Sequence, residues 1–435
     1  MRQFLRQFLG LSPIEGEQRS LLIAFWRSTL GVFVALRLAD VLNAVTGLYI
    51  IPTKLAPDIL GAILPLMQVG AVLAMPVSVF TLVFTRHLCA YAVARDSIRV
   101  RGLLRDALVA TALTLVVALI ITTAITPWLC TMLRVPYSAV GYLAVSYGLL
   151  AAFTPMAWSA LQALKRFGAI SIGALIAAPV RLIAMLFLLP LWGLSGYFLG
   201  QSLPPLIMLI VALISLAPLL KQSREAPFMA WRADLKPMLR YAAYIAVGVF
   251  AAAIQGAMIT FIIRHNLSNE HSGAYYLISR FAEVATYSGT TLATVLFPYT
   301  VEARVRGLSS NTFRAGVMGF VLLIGIVLAA LLYFALPLLT GWIPLLKAYT
   351  HYEVAAAYLT VITTLNAAST LHFTYTAAHD RFTYLRFLLP LTLALTLTLG
   401  LMSIASLMHL LHILFVAAVL QFVGCLFDTT RHQKA

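Results

Sequence analysis

The sequence is poor in charge, and poorest in acid. Of its 435 residues only 10% are charged, with 14 Asp and Glu against 30 Lys and Arg. A water-soluble domain carries roughly 25% charged residues, so a surface wetted on all sides is excluded. Cysteine is scarce too. Cys89, Cys130 and Cys425 lie far apart, in or beside apolar runs, and offer neither a disulfide framework nor a metal-ligand spacing. The G-x-x-x-x-G-K-[ST], G-x-S-x-G and H-E-x-x-H motifs are missing, and with them the signatures of nucleotide hydrolysis, acyl transfer and zinc peptidase chemistry. His409 and His412 have helical spacing but fall in a short inter-helix loop, where they read as interfacial histidines. The loops are short and basic, without the acidic or metal-binding loops that a membrane glycosyltransferase would need. The chain therefore reads as a non-enzyme with no resident cofactor.

What is abundant is hydrophobicity, at 62% of residues. It comes in unbroken runs of about 20 residues, the length that a bilayer core requires of a helix. Backbone polar groups in lipid must pair internally, so only helices or closed barrels span, and a barrel would show short alternating segments instead. The expectation is an all-α integral membrane protein of about 12 transmembrane helices, spanning 22–49, 58–85, 106–127, 137–160, 168–190, 193–218, 237–263, 273–299, 313–339, 351–376, 383–404 and 409–427. Pro65, Pro76, Pro155, Pro179 and Pro204 fall inside these spans, where each removes a backbone bond and kinks its helix.

The formal net charge of +16 would suggest nucleic acid in a soluble protein, but its distribution indicates orientation instead. Of the 30 Lys and Arg, 22 fall on the side shared by the N-terminus and 4 on the other, with four arginines inside spans. Such a bias places the basic side, with both termini, in the cytoplasm, facing anionic lipid. No nucleic-acid partner is needed. Phe4, Leu5, Phe8 and Leu9 recur at helical spacing among arginines and predict an interfacial helix rather than a cleaved signal peptide.

The spans divide in two. The most polar stretch, KQSREAPFMAWRADLKP, falls at mid-chain. The expected organisation is an amphipathic cytoplasmic N-terminus over 1–21, a six-helix bundle over 22–218, a cytoplasmic linker over 219–236, a second six-helix bundle over 237–428 and a cytoplasmic tail over 429–435. The bundles look like repeats. Gly61 and Gly273 open comparable helices 212 residues apart, and ALQALKRF matches YTAAHDRF at a shift of 215. Six helices return the chain to its starting side, so the repeats would run parallel about an axis along the membrane normal, with a central cavity between them.

Charge at bilayer depth normally faces a cavity or a partner, because it costs at least about 2.5–3.5 kcal/mol to insert. Arg37 and Asp40 are three apart on the first helix, with Asn43 extending the same face. Arg280 and Glu283 repeat that spacing on the eighth helix, and Arg181 follows Pro179 on the fifth. Arg37 lies roughly 22 Å from the cytoplasmic start of its helix, and Arg280 roughly 10 Å from the opposite side. Two readings stay open. Arg37, Arg181 and Arg280 line a cavity whose guanidinium forks suit phosphate oxygens, or they pair with Asp40 and Glu283 as an ion-pair gate. Tyr287 and Thr290 continue the Glu283 stripe, and Gln255 adds an amide on the seventh helix. Such groups suit sugar hydroxyls, and they also glue membrane helices together. Asp40 and Glu283 are the carboxylates at depth and so the candidates for H+ or Na+ coupling.

Two segments carry a resemblance. LQALKRFGAISIGALIAAPVRL leads into the fifth helix, and GAYYLISRFAEVATYSGTTLATVLFPYTVEA, with its LFP ending at Pro298, crosses the eighth. In these, and in its twelve spans in two halves, the chain resembles polysaccharide biosynthesis transporters of the multidrug/oligosaccharidyl-lipid/polysaccharide (MOP) exporter superfamily. The resemblance implies a flippase or exporter in the bacterial inner membrane, moving a lipid-linked oligosaccharide or polysaccharide precursor by alternating access. Arg37, Arg181 and Arg280 would then favour the diphosphate of a polyprenyl-linked glycan. Glycosyltransferases or a polymerase of the same pathway would be partners. The departure is the pairing of two arginines with acids, which leaves a cavity charge of about +1. The alternatives are a cation-coupled multidrug exporter of the same fold and a non-transporting scaffold for glycan synthesis.

Overall fold

The computed structural model describes residues 16–55, 76–132, 138–266, 269–342, 351–402 and 406–432. Its elements are helical throughout. In chain order they are α1 (Gly16–Val45), α2 (Pro76–Val93), α3 (Ser97–Met132), α4 (Ser138–Ala163), α5 (Phe167–Gln222), α6 (Leu235–Asn266), α7 (Asn269–Val305), α8 (Asn311–Trp342), α9 (Glu353–Ala378), α10 (Leu385–Leu401) and α11 (Leu407–His432). A π-helical segment, Thr46–Ile50, and the short helix Ile51–Lys54 extend α1. Eight of the helices are long and apolar enough to cross a membrane. Large apolar side chains such as Ile120, Phe187, Ile214 and Phe334 point outward, as a lipid-facing surface requires. The chain is a multi-pass membrane protein. The predicted interfacial helix over Phe4–Leu9 and most of the 58–85 span lie outside the described residues.

At 56 residues α5 is far too long for one crossing, and the backbone shows where it reverses. Gly193 takes φ +52° and ψ −125°, a conformation that a side chain at Cβ would oppose, directly after LLPLW. A Cβ on Gly196 would collide with the Leu188 carbonyl, and Gly200 packs against Met185. Residues on either side of Gly193 thus face each other as an antiparallel hairpin, which gives the two spans 168–190 and 193–218.

The chain forms two compact units: Trp26–Ala246, called here the N-terminal unit, and Met1–Phe25 with Val247–Ala435, the C-terminal unit. The division falls inside α1 and α6 rather than at 22 and 219–236. The physical reason at α1 is aromatic: Phe25 stacks on Phe313 at 4.9 Å and meets Tyr299 edge-on at 5.5 Å, so the start of α1 belongs with α7 and α8. In the C-terminal unit α9 is the central helix, packed against α7, α8 and α11. Its small residues permit this. A Cβ on Gly289 of α7 would come within 2.8 Å of the Ala367 Cβ, and one on Gly325 of α8 would overlap Thr364. Close backbone approach through small residues is the usual basis of helix association in lipid. In the N-terminal unit α4 packs on α3 and α5. Cys130, Ala144, Met185, Tyr197 and Phe198 form a core cluster there, with Ile50, Ile51 and Leu55 of the α1 extension packed into it.

The repeat shows in the turns. Arg95 and Gly307, 212 residues apart, are both left-handed, with φ 58° and 69°; Lys165 and Asp380, 215 apart, match at 55° and 64°. Each closes its helix with the same pair of bonds. Asp96 N–H reaches the Tyr91 carbonyl and Arg95 N–H that of Ala92, as Leu308 reaches Ala303 and Gly307 reaches Arg304. Arg166 to Leu161 and Lys165 to Gln162 correspond in turn to Arg381 to Thr376 and Asp380 to Ala377. This is the Schellman ending of a helix, which satisfies two otherwise orphaned carbonyls.

Candidate functional site

In the N-terminal unit three helices bring polar groups together at depth. Spacing alone puts Arg37, Asp40 and Asn43 on one face of α1. Arg37 Nη2 lies 2.9 Å from Asp40 Oδ2, with the side chains 20% and 35% exposed. The Arg37 guanidinium also sits over the Phe33 ring at 5.3 Å. Arg181, two residues after Pro179 on α5, donates from Nη1 to Asn43 Oδ1 at 2.8 Å. Tyr147 of α4 lies within electrostatic reach of the same guanidinium. The π segment Thr46–Ile50 begins one turn past Asn43, and the Thr46 hydroxyl donates back to the Leu42 carbonyl. Single π turns inside helices recur at functional sites.

The two arginines are held differently. Arg37 is matched by a carboxylate, so the pair is close to neutral. Asn43 carries no charge, and its bond orients the Arg181 guanidinium. The planar guanidinium fork is the geometry that receives two oxygens of one phosphate.

In the C-terminal unit Glu283, Tyr287, Thr290 and Thr294 lie on α7. Tyr287 donates to Glu283 Oε2 at 3.0 Å. Thr290 and Thr294 turn their hydroxyls back to the carbonyls of Tyr287 and Thr290, the ordinary use of threonine inside a helix. Gln255 is half-buried on α6. Arg280 is on α7, and its side chain, with any pairing to Glu283, lies outside the described residues. Tyr375 donates to Asn311 Oδ1 at 2.8 Å, near the end of α9 where the arginine-bearing turns gather.

Neither a family model nor a curated protein matches this sequence. Solved structures do match. A crystal structure of a MATE mutant aligns with TM-score 0.73 at 12% identity, covering 95% of this chain and 97% of that one. An outward-facing multidrug resistance MATE family transporter of the MOP superfamily aligns with TM-score 0.73 at 11% identity, over 95% and 96%. A MOP superfamily transporter from Pyrococcus furiosus, described as having a reverse-polarity binding pocket that suggests a different function, gives 0.71 at 11%, over the same shares. The chain has the MATE fold. That fold has twelve transmembrane helices in two bundles, as the hydropathy predicts.

Within the MATE fold, two polar groupings escaped the sequence reading. The first lies in the N-terminal unit, where the stretch taken for a linker is clamped. Arg105 and Asp106 form an ion pair at 2.8 Å. Arg105 also donates to the carbonyls of Ser223, Ala226 and Pro227, while Asp106 accepts from the Met229 N–H and Trp231 Nε1. Tyr91 and Arg99 add bonds to Asp234. A Cβ on Gly102 would press on Ala230 at 3.2 Å. The second is a buried pair in the C-terminal unit, His372 with Asp428. An Arg-Asp dipeptide at the polar end of an apolar span was the available signal for the first. The second joins α9 to α11, and no single-helix spacing reports it. Among the described residues no group of three or more His, Cys, Asp or Glu is placed to hold a metal.

Proposed function

We propose that this chain is a membrane exporter that works by alternating access, and that its N-terminal unit receives the anionic head of a lipid-linked oligosaccharide or polysaccharide precursor. The observation that carries the reading is the bond from Arg181 to the neutral Asn43. The set formed by Arg37, Asp40, Asn43, Arg181 and Tyr147 holds two arginines against one carboxylate. A cationic drug would meet repulsion there, whereas a diphosphate would meet a positioned fork and a phenol. Asn43, Tyr287, Thr290 and Gln255 would serve sugar hydroxyls. A counter-gradient of H+ or Na+ would drive the cycle, with Asp40 and Glu283 as carboxylates at depth. The membrane would be the bacterial inner membrane with the basic loops and both termini cytoplasmic, and glycosyltransferases or the polymerase of the same pathway would be partners.

The second reading, cation-coupled multidrug export, is favoured by the multidrug resistance transporter among the structural neighbours. The Pyrococcus furiosus neighbour, with its reverse-polarity pocket, supports pocket charge as the property that separates functions on this fold. The test is thermal stabilisation of the purified protein by a polyprenyl diphosphate-linked saccharide, with cationic dyes as the rival ligand. Arg181→Ala is expected to weaken saccharide-lipid binding by about tenfold to a hundredfold, the worth of a charged hydrogen bond at roughly 1.5–3 kcal/mol. Arg181→Lys should recover part of it. Stabilisation by dyes and none by the lipid would reverse the assignment.

A further inference from the structure

The clamped mid-chain loop of the N-terminal unit carries an exposed aromatic ring. Arg105 grips the carbonyls of Ser223, Ala226 and Pro227, and Asp106 receives the Met229 N–H and Trp231 Nε1. Phe228 stands between two of these held residues and is 77% exposed. Its backbone is therefore fixed on both sides while its ring is presented outward. A ring held in water forgoes the stabilisation that burial gives an apolar side chain, so this fixed exposure points to a surface outside the unit. The loop's depth follows from its neighbours. α5 ends at Gln222 and α6 begins at Leu235, so the loop lies where both meet the membrane surface. The gripping residues belong to the first turns of α3, and α3 turns apolar side chains outward from Val109 through Leu113 and Val116. Arg105 is one turn before Val109, roughly 6 Å along the axis. The loop thus sits at the level where hydrocarbon gives way to headgroups.

Charge agrees with that position. Residues 95–106 and 221–240 hold nine Lys and Arg against four Asp and Glu. The four acids are taken by arginines of α3: Asp96 and Asp234 by Arg99, Glu225 by Arg101 and Asp106 by Arg105. Arg232, Lys236 and Arg240 are exposed, and no carboxylate pairs with them among the described residues. Arg232 lies in a short 3-10 turn, and Lys236 and Arg240 follow at four-residue steps into α6, which sets one cation per turn along one side. We propose that this loop is a docking surface for anionic phospholipid: Phe228 enters the headgroup–acyl boundary, and Arg232, Lys236 and Arg240 receive the phosphates. Aromatic rings favour that boundary, and basic residues beside it attract anionic headgroups. A protein partner is the poorer fit. A stable protein interface needs upward of about 1,000 Å² around an apolar centre, and among the described residues of 223–234 Phe228 is the one large apolar side chain that is exposed. Docking the clamped loop fixes the depth of this end of α3, α5 and α6 together, whichever substrate is carried.

The test places a nitroxide at Phe228→Cys in the full-length protein, whose three native cysteines are buried. Substitution at so exposed a position leaves the core intact. In nanodiscs of equal phosphatidylcholine and phosphatidylglycerol, oxygen, which concentrates in hydrocarbon, should collide with the label more often than a water-soluble nickel chelate does. In phosphatidylcholine alone that preference should shrink. Each cation lost should weaken docking about fivefold, so adding Arg232→Gln, Lys236→Gln and Arg240→Gln should return the label to water. Arg381→Gln with Arg386→Gln, which removes two exposed cations of the C-terminal unit, should leave it in place. The proposal is overturned if nickel reaches the label as readily as oxygen in the mixed-lipid discs, the result expected of a loop kept free for a protein. It is overturned equally if the depth is the same with and without phosphatidylglycerol, or if the control pair shifts the label as far as the triple variant. Should the triple variant fail to fold, the comparison of the two lipid compositions still decides.

Discussion

The two units share a turn skeleton and spend their polar residues in different places. Left-handed residues recur at shifts of 212 and 215, with the same closing bonds. Yet the Arg105–Asp106 pair of the N-terminal unit corresponds to Val317 and Met318 in the other, and the His372–Asp428 pair corresponds to Ala157 and Leu213. The N-terminal unit uses charge to bind its own mid-chain loop, and carries an arginine aimed by an amide at depth. The C-terminal unit uses charge to tie helix ends to one another. Backbone geometry has been kept where helices must end, and side-chain chemistry has diverged where the repeats took on separate work.

The largest expected effect comes from removing the loop clamp. Asp106 is buried, pairs with Arg105 and accepts from Met229 and Trp231. Asp106→Ala strands two donors and removes the counter-charge of Arg105, which keeps its carbonyl acceptors, so it should cost about 3 kcal/mol, the low end for breaking a buried pair. Thermal unfolding of the purified protein would show it, and limited proteolysis should newly cut between residues 223 and 236. Met318→Ala, the position's counterpart in the C-terminal unit, removes no polar bond and should leave that loop uncut. Equal protease sensitivity in the two variants would mean that the clamp contributes nothing specific.

Much of this architecture was legible beforehand, and its limits have a common cause. Lipid imposes long apolar runs, so the spans could be read directly, including the pair that folds into α5. Arg37 with Asp40 was legible because both lie on one helix face, where spacing fixes proximity. Arg181 with Asn43 was not, since they meet across two helices and periodicity says nothing about what lies opposite. The same holds for His372 and Asp428. The span over 409–427 ended one residue before Asp428, which left that carboxylate at the edge of the bundle with no partner indicated. The repeat was visible in RF-ended turns, but the feature that best preserves it is a backbone angle, which Lys165 and Asp380 satisfy without the glycine that would have announced it.

A smaller effect separates the repeats by pH. His379 lies beside the turn of the C-terminal unit, bonded to Ser310 at 2.8 Å. Burial, then the nearby Arg304, Arg381 and Arg314, push its imidazole down to about 4 from the usual 6.5. The folded form thus resists the proton that the unfolded chain accepts. Stability is whole above about pH 6.5 and declines as pH falls toward about 4. With the ring partly solvent-reached, the loss between pH 7 and 5 should be about 1 kcal/mol. The counterpart is Leu164, and His379→Leu should flatten this part of the pH dependence in chemical unfolding. An unchanged slope would assign it to other groups.

The smallest effect tests whether the repeated turns are energetically as well as geometrically alike. Lys165 and Asp380 hold positive φ without being glycine, a conformation that costs an ordinary residue roughly 1 kcal/mol. Replacing either by glycine relieves that strain and gives back part of the gain as unfolded-chain entropy. Asp380 also pairs with Arg304 at 3.6 Å, both about 39% exposed, and an exposed pair contributes at most about 1 kcal/mol. Lys165→Gly should therefore stabilise by about 0.5 kcal/mol, and Asp380→Gly by less, or not at all. Gly307→Ala, at the equivalent of Arg95, should destabilise by about 1 kcal/mol. If Lys165→Gly destabilises instead, the left-handed turn is held by side-chain contacts of Lys165, and the two units would share a shape there without sharing its cause.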